Sequence, residues 1–145
     1  MCNFVPVRNW LIGLALMLSL ALSSAWFAYV WFGTYVGAIS FTFAAAWCVA
    51  AGVFVGYAGA AAARFCTCVT AVKACTVACS QIVPAIYAAL IPLFVLGATC
   101  VAGAFGINFA QVFPLLFWTS GALGVATVYV GYLASVLGSC QSPGR

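Results

Sequence analysis

The chain contains no aspartate, no glutamate and no histidine, and four cationic residues carry all of its side-chain charge among 145 residues. Each absence excludes a class of chemistry. Without histidine or carboxylates there is no general acid–base pair of the usual kind and no Ser-His-Asp triad. There is no carboxylate metal site and no histidine to hold a haem. No carboxylate is present to relay protons across a membrane. Charged residues make up 3% of the chain, against about a quarter in ordinary soluble domains. A soluble monomer is excluded by that figure, because too little polar surface exists to meet water.

What is present is apolar: 68% of residues are hydrophobic and the mean hydropathy is +1.29. A helix needs about 20 apolar residues to cross the hydrocarbon core. Four stretches offer them, residues 10–32, 39–63, 82–105 and 112–137. Runs such as LIGLALMLSLAL do not alternate as the strands of a membrane barrel would, and helices satisfy their own backbone in lipid. The expected fold class is therefore all-α, a polytopic membrane protein with four transmembrane helices in a bundle. It forms one four-helix transmembrane domain over 1–145, with short linkers at 33–38 and 106–111 and a longer one at 64–81. The start of the chain also has the outline of a signal peptide, with Arg8, an apolar run and Ser23-Ser24-Ala25. The apolar stretch continues past Ala25, so an uncleaved first span is expected.

With four spans, Arg8, Arg64, Lys73 and Arg145 all fall on one side. The positive-inside rule then puts both termini and the middle loop in the cytoplasm or its organellar equivalent. A fifth span over 65–80 would carry Lys73 at its centre, at a cost of roughly 2.5–3.5 kcal/mol. Aromatic residues fit the four-span map: Trp10, Phe65 and Tyr87 near the inner interface, and Trp31, Tyr35, Phe105 and Phe109 near the outer one.

Lipid supplies no hydrophobic drive for helices to associate, so small residues that allow close backbone approach are the expected packing surfaces. The second span has Ala44, Cys48, Gly52, Gly56 and Ala60 at every fourth position. The fourth has Ser120, Gly124, Thr127, Gly131, Ser135 and Gly138 within a stripe about 80° wide. On this reading Gly56→Leu or Gly131→Leu disrupts assembly, and Gly13→Leu, outside both stripes, is mild. Pro84 and Pro92 are expected to kink the inner half of the third span.

Eight cysteines are the remaining chemical candidates. Cys2, Cys66, Cys68, Cys75, Cys79 and Cys140 are expected on the inner side, reduced by the cytoplasm, with Cys48 and Cys100 inside spans. No zinc signature matches, and only Cys75 and Cys79 stand close enough to share an ion. Cys66 and Cys68 suit S-acylation beside the membrane. Otherwise these side chains serve as small hydrophobes. The cations are expected at lipid phosphates. Thr34, Tyr35, Asn108 and Gln111 are expected to satisfy the outer loops, and the sparse hydroxyls of the spans argue against a conducting single-chain pore. The expected function is that of a non-catalytic structural or accessory subunit of a larger membrane assembly, or a self-assembling membrane scaffold. One alternative is a pore or membrane lesion built from many copies, as holins make; another is a small transporter handling thiols or metal. No catalytic residue and no cofactor is expected beyond bound lipids. The expected partners are membrane lipids and other membrane subunits or copies of the same chain, with no nucleic acid.

Overall fold

The computed structural model describes residues 5–32, 34–65, 73–105 and 112–140, without the side chains of 65, 73–75, 112–113 and 139–140. Four helices follow one another: α1, Val5–Val30; α2, Tyr35–Phe65; α3, Lys73–Ala104; and α4, Val112–Cys140. All are long and apolar enough to cross a membrane. The chain thus has the architecture of a four-span integral membrane protein. Each helix packs against its two sequence neighbours, and α4 closes the ring on α1.

The helix ends have local causes. Thr34 caps α2: its Oγ accepts from the Gly37 N–H at 3.1 Å while its own hydroxyl donates to the Trp31 carbonyl at 2.6 Å. The turn closes so tightly that a Cβ at Gly37 would strike that carbonyl, which only glycine avoids. Pro114 sits in the first turn of α4, where its missing N–H breaks no bond. The helix α3 runs unbroken through Pro84 and Pro92.

α3 begins at Lys73, inside the stretch expected to link the second and third spans. Counting apolar residues finds the hydrocarbon boundary. A helix makes its own backbone hydrogen bonds and has no reason to stop there. α3 is 32 residues long, or about 48 Å, well beyond the ~30 Å core.

The core has a regular spacing. On α1 the buried residues are Val7, Leu11, Leu14, Leu18, Ala21, Ala25 and Ala28, alternating steps of four and three. The same alternation places Phe41, Ala44, Cys48, Ala51, Val55, Ala58 and Ala62 inside on α2. It recurs from Ile86 to Cys100 on α3 and from Leu116 to Leu123 and Val130 to Leu137 on α4. An average of 3.5 residues is the seam of a left-handed supercoil. Volumes alternate between neighbours: α1 gives leucines at its N-terminal half and alanines at its C-terminal half, whereas antiparallel α2 sets alanines against the former and Phe41 against the latter. Large against small lets the layers interdigitate.

Candidate functional site

Only 28–33% of each span is buried within the bundle, so most of the surface is the outer faces of the helices. The small residues expected to pack do so only in part. On α2, Ala44 and Cys48 are buried, Gly52 is half-buried, and Gly56 and Ala60 are exposed. The cause is geometric. A step of four residues advances about 40° beyond a full turn, so a ridge at every fourth position walks around the helix. It starts in the core and ends outside, while the core follows the alternating three-and-four seam. A Cβ at Gly52 or Gly56 would meet nothing within 4 Å.

The α4 stripe lies along the α1–α4 seam. Its N-terminal end is tied to α1, where the Trp26 Nε1–H donates to Ser120 Oγ at 2.6 Å. Its C-terminal end meets α1 again, with Arg8 Cδ 3.3 Å from where a Cβ on Gly138 would lie. Between them, Gly124 and Gly131 are open, with nothing within 4 Å of an added Cβ, and Ser135 is exposed.

Other glycines are enclosed. A Cβ on Gly13 would enter the Phe54 ring, and one on Gly103 would lie 2.8 Å from Phe41. Phe54 is itself held edge-on by Trp10 at 5.3 Å, and Trp10 stacks on Tyr57 at 4.7 Å. The expectation of a mild Gly13→Leu is therefore reversed. Gly13 is the contact point of α1 with an aromatic residue of α2, which spacing along α1 alone does not reveal.

Five hydroxyls within the spans bond to a carbonyl of their own helix. Thr99, Thr119 and Thr127 donate to Val95, Leu115 and Leu123 carbonyls at 2.9, 2.6 and 2.7 Å. Ser19 and Thr42 do the same to Ala15 and Ala38 at 2.9 and 3.0 Å. Across helices, the Tyr129 hydroxyl donates to Gln81 Oε1 and joins α4 to α3. Among the described residues the only buried polar side chains are Thr99 and Thr119, so the bundle axis is packed with apolar groups.

Arg8, Arg64 and Lys73 stand at helix ends that the up-and-down topology brings to the same end of the bundle. Arg145, Asn108, Gln111, Phe109, Cys2, Cys66 and Cys68 lie outside the described residues, as do the side chains of Phe65, Lys73, Cys75 and Cys140. The buried thiols Cys48 on α2 and Cys100 on α3 are free. Cys79 is disulfide-bonded. Cys79 is thus not among the free thiols expected on the inner side. Nothing in the local sequence distinguishes Cys79 from its neighbours, because pairing depends on tertiary placement.

Comparison with family models, curated proteins and solved structures finds no match.

Proposed function

We propose that the chain is a non-catalytic accessory subunit or scaffold of a membrane assembly, docking to neighbouring transmembrane helices through the glycine faces of α2 and α4. One observation carries this reading: Gly52, Gly56, Gly121 and Gly124 each open outward, with nothing within 4 Å of an added Cβ. Glycine lowers helix propensity by about 1 kcal/mol relative to alanine. Fluid lipid packs against any apolar shape and gains nothing from glycine, whereas a second helix gains close backbone approach. The lack of His, Asp and Glu removes the usual catalytic groups, which fits a structural role.

The test is purification in mild detergent followed by native mass spectrometry. The wild type is expected in a complex of fixed stoichiometry, either with copies of itself or with partner subunits. Gly56→Leu or Gly124→Leu should dissolve that complex while leaving helicity unchanged. A monomer in every case overturns the reading. Dye release from liposomes by the purified chain alone favours the pore of many copies instead.

The proposal includes sidedness, with the end bearing Arg8, Arg64 and Lys73 in the cytoplasm. Labelling of Ser80→Cys and Tyr35→Cys by an impermeant reagent tests it: Tyr35→Cys reacting from outside supports the proposal, and Ser80→Cys reacting from outside inverts it.

A further inference from the structure

A hydroxyl inside a span can be satisfied by its own helix, as Ser19 and Thr42 are. An indole N–H is only a donor, and the ring carries it away from its own backbone. Trp26 meets that need by donating to Ser120 Oγ at 2.6 Å. Trp47 does not. Among the described residues, the side chains of Trp47, Ser23, Ser24 and Ser40 make no hydrogen bond. These four line one groove of about 480 Å³ between α1 and α2, together with Phe27 and Phe43. Trp47 stands twelve residues into α2, about 18 Å from its start and near the middle of a ~30 Å hydrocarbon core. It is too deep for an interfacial belt. No water reaches that depth, and acyl chains carry no acceptor, so the groove calls for a polar partner within the membrane.

The three hydroxyls stand at one level. Ser23 and Ser24 precede the end of α1 by seven and six residues, and Ser40 follows the start of α2 by five, which sets them within about 3 Å of one another in depth. Side chains tilt toward the N-terminus of their helix. Because α1 and α2 are antiparallel, that tilt brings Ser23 and Trp47 closer in depth.

We propose that this groove is a self-association surface. Two copies meet here about a two-fold axis along the membrane normal, hydroxyls pair across the axis, and each Trp47 N–H donates to a serine of the other copy. The occupant is a second copy because a hydroxyl both donates and accepts, so the patch complements itself. A two-fold axis along the normal also keeps every residue at its own depth, so serines face serines. The contact needs no carboxylate, which this chain lacks. Trp26 and Ser120 show the same Trp–Ser pairing within one chain. Phe27 and Phe43, 52% and 60% exposed, supply the apolar margin of the contact. The surface is separate from the glycine faces, since Gly52 lines a different groove between α2 and α3 and Gly124 lies on α4. The inference is therefore independent of the glycine-docking reading.

The test uses the full chain in liposomes of pure phosphatidylcholine, which hold no other protein and no sterol. Single-molecule counting of labelled chains over a range of protein-to-lipid ratios reads the dimer. Ser23→Ala, Ser24→Ala and Ser40→Ala together should weaken dimerisation at least tenfold. Trp47→Phe keeps a ring and removes the N–H, and should weaken it severalfold. Helicity should be unchanged in both. Ser23→Cys should be joined into dimers by a short bis-maleimide above the wild-type background, and equally so when combined with Gly124→Leu. A wild type that stays monomeric at every ratio, undiminished association in either variant, cross-linking no greater than the wild type, or its loss on adding Gly124→Leu overturns the proposal.

Discussion

Gly103 and Gly124 are both helical glycines in apolar spans, yet they stand in opposite surroundings. A Cβ on Gly103 would lie 2.8 Å from Phe41; one on Gly124 would meet nothing within 4 Å. The first glycine makes room for a neighbour inside the chain. The second makes room for nothing the chain itself contains. One residue type thus has two roles, and volume at each position, rather than spacing in sequence, separates them.

The largest effect is expected where the room is already filled. Gly103→Leu should destabilise the bundle by roughly 3 kcal/mol, since overpacking forces ring and backbone to shift. Thermal unfolding in detergent, followed by helicity, measures it. A loss under half that size would mean that Phe41 swings away freely.

Phe41→Ala approaches the same contact from the other side. The bilayer is as apolar as the bundle, so the transfer contribution is absent and the cavity remains. At about 24 cal/mol per Å³ the loss comes to roughly 2 kcal/mol. Gly103→Leu combined with Phe41→Ala should cost less than the sum of the two single changes, because the new side chain fills the space the ring leaves. Strict additivity in the same unfolding assay would show that the two residues do not share a site.

Gly124→Leu should leave the isolated bundle within about 0.5 kcal/mol of the wild type. Its association should weaken by at least tenfold, or about 1.4 kcal/mol, as read by dilution-dependent cross-linking in liposomes. Unchanged association would reduce the outward glycines to accidents of composition.

The smallest effect is none at all. Folding stability varies with pH only if folded and unfolded states bind different numbers of protons. With no Asp, Glu or His, no side chain of ordinary pKa titrates between about pH 4.5 and 7. Stability should be flat across that window for the wild type and for every glycine variant. A slope would expose an interaction of a terminus or a bound lipid.

The positions of the helices were legible in the sequence because hydrocarbon thickness fixes how many apolar residues a span needs. Which third of each helix faces inward was not. All sides of these helices are apolar, so amphipathicity carries no direction, and the seam through Leu11, Leu14, Leu18 and Ala21 emerges only from packing. Spacing by four makes the ridge from Ala44 to Ala60 look like one surface in a sequence; on the helix it turns from core to exterior. The crowding at Gly13 is hidden from the sequence for a related reason, since its neighbour Phe54 lies on another helix. The sequence placed Arg8 at the start of the first span; its packing against Gly138 of α4 appears only in the fold.

The turn between α1 and α2 bears on how the protein enters the membrane during synthesis. Thr34 and Gly37 close the connection against Trp31, and beyond it Phe32 packs edge-on against Phe41 at 5.7 Å. Two long apolar helices joined so closely have little slack to insert at separate times. They are expected to leave the translocation machinery as one helical hairpin, with their volumes already matched. α3 and α4 would then assemble on a finished template, and a nascent chain halted after Phe65 should already resist extraction from the bilayer.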